Sequence, residues 1–306
     1  MSDFNWFKGN IHCHTTMSDG DADPEVAVDW YQNHGYDFLV VSDHNHLTLL
    51  DYQATENLNM ILIPGEEVTS SVGIDSIPVH INAIGIDRLV EAANCDTVLE
   101  SLQTNIDRIL DAGGLVSINH PNFKWALTPE IIISSTGANM LEVFNGHPKT
   151  NTIGTEEKLS AEQIWDEVLT SGQKIFGAAT DDTHNYYDFT PNHSNPGRGW
   201  LNVKAKNLTS EEIINSLKNG DFYSSTGIIL NRIDINQNGI EIEIEKQPFV
   251  EYQTTFVGES GKVLEKCFGT NPKYIFQTEK SYVRATISDS NGFKAWIQPV
   301  HFNENT

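Results

Sequence analysis

The sequence predicts an α/β chain in two parts, a βα-repeat region over residues 1–227 and a small antiparallel β region over 228–306. Three observations carry this. Up to about residue 225, apolar strand-like runs alternate with segments of helical period. Most of these runs are hydrophobic without a break, as expected of parallel strands covered on both faces, so a barrel or a doubly wound sheet fits. After Ser225-Thr226-Gly227 the period falls to two, Asn-Gly and Gly-rich turns separate the runs, and no helical segment is visible.

The first region offers the strands NIHCH, DFLVVS, MILIP, VHINAIG, LVSIN, MLEVFN, KIFGAAT and GWLNVKA. Three helix starts are readable between them. Asp23-Pro24 opens PEVAVDWYQNHG, and Thr128-Pro129 opens PEIIISST, each with a proline whose fixed φ suits a first helical turn. Thr209 with Glu212 makes a capping box. In the tail, RIDINQNGIEIEIE, YQTTFVGE, YIFQT and SYVRATISDSNGFKAWIQPV alternate. The GIEIEIEK run reads as a strand with inward isoleucines and a solvated glutamate face, not as a block of charge.

Composition narrows the function. A chain of 306 residues is long enough for one large core or a barrel-sized unit with a smaller companion. Its 19 basic and 42 acidic side chains leave −23, a field that repels a nucleic-acid backbone, so a long duplex is not an expected partner. A small anionic substrate is still compatible, because bound divalent cations reverse the sign locally. Cys13, Cys95 and Cys267 show no C-x-x-C spacing, which argues against a disulfide framework and a thiolate zinc site, and all three are expected as buried thiols. The opening MSDFNWFKGN lacks a basic segment followed by an apolar run, and no stretch is long enough to cross a bilayer. The expectation is a cytoplasmic protein with no membrane partner.

The chemistry collects at strand ends. In the stretch GNIHCHTTMSDGD, His12 and His14 project from one face of an extended strand while Cys13 faces the other. That pair alone decides nothing, since His44 and His46 form a second one. Nearly every strand of the first region, however, ends in a metal-competent side chain. Asp19 follows the first strand, and DFLVVSDHNH brings Asp43 and His44. MILIPGEE brings Glu66 and Glu67, IPVH brings His80, and LVSINHP brings His120. KIFGAATDDTH brings Asp181, Asp182 and His184. In βα architectures the loops at that rim converge on one opening.

The succession H-x-H-x4-D, SDH, P-G-x-E, a histidine in the next strand, N-H-P and D-x-H resembles the polymerase and histidinol phosphatase (PHP) superfamily of metal-dependent phosphoesterases, over roughly residues 6–226. WFKGNIHCHTTMSDG, GYDFLVVSDHN and the closing GFKAWIQPV look most like its two-domain branch, which includes carbaryl-hydrolase-like metallohydrolases. The resemblance implies a distorted (β/α)7 barrel and two to three divalent metals. His12, His14, Glu67 and Asp182 would hold the first ion. Glu67 would bridge to a second, completed by His80 and His120, and Asp19, His44 and His184 would hold a third. Glu67 rather than Glu66 matches the glutamate of P-G-x-E, and Glu66 points away on an extended chain.

Six imidazoles and three carboxylates without sulfur suit Mn²⁺, Fe²⁺ or Zn²⁺ alike. A hydroxide bridging two such ions has its pKa drawn toward neutrality, and the cluster neutralises phosphoryl oxygens, so the expected reaction is hydrolysis of a small phosphomonoester or short phosphodiester. Glu67, Asp182 and His184 are the expected catalytic positions. Arg198, in NPGRGW, joins them as a guanidinium suited to phosphate, its alternative being a surface or structural role. Two other readings stay open: carboxyl or carbamate ester hydrolysis on the same cluster, and an inactive barrel whose tail region binds carbohydrate or a partner.

Several neighbours have two readings each. Asn145, His147 and His193 are either pocket polarity or loop hydrogen bonding. Asp43 and Asp181 either orient ligands from behind or cap turns, and His46 reads as a loop residue. Trp30, Tyr31 and Trp165 sit at core spacing, Trp125 is a candidate pocket wall, and His34 and His301 lie outside the expected site.

Overall fold

The structure, a computed structural model, describes residues 4–50 and 59–302. From the N-terminus, β1 (Asn5–Asn10) leads into the HCH segment, and α1 (Pro24–Asn33) begins on its proline as expected. Next come β2 (Phe38–Leu39) and β3 (Ile61–Leu62), both parallel to β1's direction, and then the antiparallel pair β4 (Gly65–Val72) and β5 (Ile77–Ile84). α2 (Val98–Asp111) is capped by Thr97, whose hydroxyl accepts from Glu100 N. Three strands and two helices alternate after it: β6 (Leu115–Ile118), α3 (Pro129–Ser134), β7 (Met140–Asn145), α4 (Ala161–Thr170) and β8 (Phe176–Thr180). β9 (Trp200–Ala205), α5 (Ser210–Asn219) and β10 (Phe222–Ser225) complete the first region.

The Thr209 cap of α5 forms only half of the expected capping box. Thr209 accepts from Glu212 N, but the Glu212 carboxylate takes the backbone N–H groups of Lys206 and Asn207 instead of reaching back to residue 209. The complete box is on α4, between Ser160 and Gln163.

The architecture is α/β with mixed sheets, and no sheet closes into a (β/α)7 barrel among the described residues. β4-β5-β6-β7-β8 form one sheet, whereas β9-β1-β2-β3 belong to another. The departure starts at the β4/β5 connection, where residues 73–76 are too few for a crossover helix, so the two strands pair antiparallel. β5 and β6 are antiparallel as well, while β6, β7 and β8 are parallel. The two half-sheets meet through isolated bridges, Cys13 with Thr183 and His44 with Glu67. All four bridge residues are candidate ligands or their direct neighbours, so the seam and the site coincide.

The tail comprises β11 (Leu230–Asn236), β12 (Gly239–Ile244), β13 (Tyr252–Gly258), β14 (Lys262–Phe268), β15 (Lys273–Ile275), β16 (Tyr282–Asp289) and β17 (Lys294–His301). Among the described residues, only a short 3-10 turn at Glu259–Gly261 interrupts the strands there. On β12, Ile240, Ile242 and Ile244 are buried and the glutamates between them are half-buried, as the alternation predicts. The tail is divided between two sheets: β11-β12-β15 form a three-stranded sheet of their own, whereas β17 pairs antiparallel with β10, so that a nine-stranded sheet runs β14-β13-β16-β17-β10-β9-β1-β2-β3.

Helices cover the five-stranded sheet through spaced apolar contacts. α2 places Leu102, Ile106 and Ile109 in one core with Ile81, Val116 and Ile118, each fully buried aliphatic contributing about 1.5–3 kcal/mol. Of the three free cysteines only Cys13 is fully buried; Cys95 and Cys267 are partly exposed, against the expectation of three buried thiols. No described helix is long and apolar enough to cross a membrane.

Candidate metal centre

The segment after β1 delivers its side chains as strand geometry requires. Cys13 packs into the apolar cluster with Val28 and Tyr31, while the rings of His12 and His14 lie on the other side, 5.2 Å apart. Glu67, on β4, is the hub. Its Oε2 lies 3.2 Å from His12 Nε2, 3.2 Å from His14 Nε2 and 3.1 Å from His44 Nδ1. Its Oε1 lies 3.1 Å from His80 Nδ1 and 3.3 Å from His120 Nε2. One carboxylate thus divides two sets of imidazoles between its two oxygens, the layout of a bridging ligand.

Asp182 faces the same histidines, with Oδ1 3.3 Å from His12 Nε2 and 3.2 Å from His14 Nε2. Its backbone is in the left-handed region at φ 50°, an arrangement that a buried non-glycine residue keeps only where its surroundings enforce it. Asp19 lies at the mouth, half exposed, with Oδ1 3.3 Å from His184 Nε2 and 3.6 Å from His44 Nε2. All nine expected ligand positions are therefore in one place. Glu66 points away, its Oε1 accepting from Val90 N at 2.6 Å.

Four overlapping groups bring their donor atoms within 4.8 Å of one another: His14, Asp19, His44 and His184; His12, His14 and Glu67; His12, His120 and Asp182; and His44, Glu67 and His80. Two ligands on one ion at bonds of about 2.1 Å lie at most roughly 4.2 Å apart, so the spacing is near what shared ions require. The grouping differs in detail from the expected one. His14 joins the Asp19 group, and His44 stands between that group and Glu67.

The donor set also fits metal by what it leaves unsatisfied. His14 Nε2 and His80 Nδ1 are buried and make no hydrogen bond. Buried nitrogens without partners are costly, and an ion is the natural partner for imidazoles turned toward carboxylates. Charge agrees with this. Burial alone would raise the Glu67 and Asp182 carboxyls, but the surrounding histidines hold both well below the usual carboxylate range. Burial likewise works against a charged His14, yet the Asp182 and Glu67 carboxylates beside it carry it up to about 9. His44 goes the other way, to about 4, because burial dominates and His14 and His80 add like charge.

Behind the nine lies a support set of which the sequence singles out Asn145 alone. Glu142, on β7, accepts from His12 Nδ1 at 2.6 Å, from Thr180 Oγ1 at 2.6 Å and from His120 N at 2.6 Å. By holding Nδ1 it turns His12 Nε2 toward the cluster, the way carboxylates orient metal-binding imidazoles. Asn119 donates to Glu67 Oε1 at 2.9 Å, and Thr69 meets His44 Nδ1 at 2.6 Å. Asn145 donates to both Glu142 Oε2 and Asp182 Oδ2. The one available signal was a glutamate inside the apolar run MLEVFN.

Asp43 and Asp181 brace loops and touch no candidate imidazole. Asp43 collects Thr15, Ser18 and Thr48 hydroxyls and so shapes the loop that carries Asp19. Asp181 accepts from Tyr31 OH and from the backbone of residues 197–199. Arg198 takes a different place from the expected substrate contact. Its guanidinium donates to Gly146 O, Thr190 O and Asn195 Oδ1, and it does not line the cleft. His193 hydrogen-bonds Asp188 O in its own loop, and Trp125 lies at a separate depression with Lys158 over its ring.

The cleft above the cluster has a volume of about 270 Å³, and besides candidate ligands it is lined by Phe123, His147, Lys149 and Thr150. That volume admits a compact substrate.

No protein-family model matches the sequence, and neither does any curated protein. Solved structures do. A two-domain protein from Bacteroides vulgatus ATCC 8482, described as containing a predicted PHP-like metal-dependent phosphoesterase, is 17% identical and superposes with a TM-score of 0.56 over 97% of this chain and 96% of its own. A proposed metal-dependent phosphoesterase from Bifidobacterium adolescentis is 16% identical, TM-score 0.44, over 57% of this chain and 87% of its own. A lesion-specific endonuclease from Pyrococcus furiosus is 13% identical, TM-score 0.44, over 70% of this chain and 56% of its own. Only the first of these superpositions is close enough to speak to the fold, and this chain shares the fold of that protein over nearly its whole length.

Proposed function

We propose that this chain is a metal-dependent hydrolase of the PHP superfamily that cleaves a small phosphate ester at the Glu67 cluster. The observation that carries the reading is the division of five imidazoles between the two oxygens of Glu67, with Asp182 facing the same inner pair. Divalent ions bound there would supply Lewis acidity toward phosphoryl oxygens and lower the pKa of a water. His12, His14, Glu67 and Asp182 are the proposed holders of one ion, Glu67 with His80 and His120 of a second, and Asp19, His44 and His184 of a third.

The chain's own residues do the positioning. Glu142 fixes the tautomer of His12, and Asp182 O accepts from His184 Nδ1 at 2.9 Å, leaving His184 Nε2 toward Asp19. The buried inner set excludes bulk water, while half-exposed Asp19 stands where substrate enters. A cleft of about 270 Å³ and a net charge of −23 support a compact phosphorylated substrate over a long duplex. The opening and closing sequence stretches support the finer place in the carbaryl-hydrolase-like branch, and the free cysteines suit a reducing, cytoplasmic setting.

The test is reconstitution with Mn²⁺, Fe²⁺ or Zn²⁺, followed by elemental analysis and assay of p-nitrophenyl phosphate beside an aryl acetate and an aryl carbamate. Two to three equivalents of metal with metal-dependent phosphatase turnover are expected. Glu67→Ala should lose metal and turnover, and Glu66→Ala should keep both. Carbonyl hydrolysis without phosphatase activity, or equal metal content in the two variants, would overturn the reading.

A further inference from the structure

The cleft wall that is not made of candidate ligands is nearly all one turn. His147, Lys149 and Thr150 follow β7, and Lys149 is the one lysine or arginine among the described residues that lines the cleft. The turn is held from three sides. Asn145 Oδ1 accepts from His147 N at 2.9 Å while its Nδ2 donates to Asp182 Oδ2 at 3.1 Å, so the turn and a candidate ligand share one anchor. Arg198 Nη1 donates to Gly146 O at 3.1 Å, and a Cβ at Gly146 would lie 2.9 Å from Arg198 Cβ, too close for any side chain there. Asn122 Nδ2 donates to Asn151 O at 3.1 Å from the loop after β6.

This rigidity fixes chemistry. His147 Nδ1 accepts the N–H of Lys149 at 3.1 Å, so the neutral ring carries its proton on Nε2, which has no hydrogen-bond partner among the described residues. Lys149 has no ion pair among the described residues. A pinned N–H donor and an unpaired ammonium on one short turn, in a chain of net charge −23, form an element for recognising an anion.

We infer that His147 and Lys149 hold the terminal phosphate of a monoester, and that Lys149 sets a preference for the dianionic monoester over a monoanionic diester. The inference rests on the phosphoesterase reading above. A single added positive charge attracts a dianion about twice as strongly as a monoanion at the same distance, so its removal costs the dianion more. Arg198 enters as a positioning residue that supports the turn from beneath.

The experiment is calorimetric titration of the metal-loaded full chain with inorganic phosphate at pH 8 and, separately, with dimethyl phosphate, beside elemental analysis of every variant. Lys149→Gln should weaken phosphate binding about tenfold and dimethyl phosphate binding no more than about threefold, with metal content unchanged. Lys149→Arg should keep the preference, and His147→Ala should weaken both anions. Unchanged phosphate affinity in Lys149→Gln, equal weakening of the two anions, or loss of preference in Lys149→Arg would overturn the inference. So would an unsubstituted protein that holds metal and hydrolyses aryl phosphate but binds no phosphate through these residues. Failure of the unsubstituted chain to hold metal or turn over an ester is a different result, and it strikes the phosphoesterase reading itself.

Discussion

Glu142 is the side chain on which the inner histidine depends. Its Oε1 takes His12 Nδ1 and Thr180 Oγ1, and its Oε2 takes His120 N and Asn145 Nδ2, so one buried carboxylate locks two candidate ligands and the residue that steadies a third. Replacing it with glutamine keeps the volume but removes the charge that holds the His12 proton on Nδ1. Loss of such an outer partner typically lowers metal affinity about 10–100-fold, and Glu142→Gln should do so in chelator competition while the fold persists by circular dichroism. Wild-type metal affinity in that variant would mean that His12 is oriented by the cluster itself. Most of the nine candidate ligands are legible in the sequence because they follow strand ends, where His and carboxylates interrupt an apolar run, whereas Glu67 and His80 stand inside β4 and β5 and are legible only through the ordered succession of motifs. Glu142 is not, since a glutamate inside a strand has no spacing that tells an outer partner from a solvated face. Arg198 misleads for the opposite reason: a lone arginine near a rim carries no mark of whether carbonyls will absorb its donors.

At the scale of elements, the joint between the two regions is a buried ion cluster on α4. Glu162 and Asp166, four apart and so on one helix face, meet Arg284 of β16. Arg284 is 2% exposed, donates to Asp166 through Nε and Nη2 at 2.7 Å each, and lies over the Trp165 ring at 4.9 Å. Such a pair is costly to break from one side, so Arg284→Ala, which strands buried Asp166 and half-buried Glu162, should destabilise by about 3–5 kcal/mol in urea unfolding. The cluster also has a pH signature. Burial would raise the Glu162 carboxyl, but Arg284 and Lys294 hold it down at about 2, below its ordinary 4.5. A depressed carboxylate stabilises fully above its unfolded value and loses that contribution as pH falls through the folded one. The melting-temperature gap between the wild type and Glu162→Gln should therefore shrink from pH 4.5 toward 2, and a gap constant over that window would remove Glu162 from the joint. The helix starts of α1 and α3 are legible from their prolines. The β4/β5 hairpin is not, because the expected strands MILIP and VHINAIG leave residues 65–78 between them as a connection, and the polar, glycine-ended stretch that forms β4 lies wholly inside it.

The whole molecule is more continuous than its two sequence patterns suggest. The change of period near residue 227 marks where helices stop, but hydrogen bonding does not stop there, because β10 pairs with β9 on one side and β17 on the other. Trp296 on β17 packs in the core of the five-stranded sheet near Phe144, and Gln298 exchanges hydrogen bonds with the Gly177 backbone on β8. Sheet register is a long-range property that alternation within each strand cannot reveal, so the pairing of β17 with β10 is not legible in the sequence. Elements that share a sheet and a core unfold together, since opening one exposes the strand edge and apolar face of the other. The full chain should accordingly melt in a single calorimetric transition, with the van't Hoff enthalpy equal to the calorimetric one. Cutting after residue 227 would expose the β10 edge and empty the Trp296 site, so that fragment should aggregate or melt well below the intact chain. It should also fail to retain metal, because β8, whose far end leads into Asp182 and His184, would lose its cover. Two separate transitions, or a fragment 1–227 that keeps its metal and its melting temperature, would restore the picture of an independent barrel with an appended β domain.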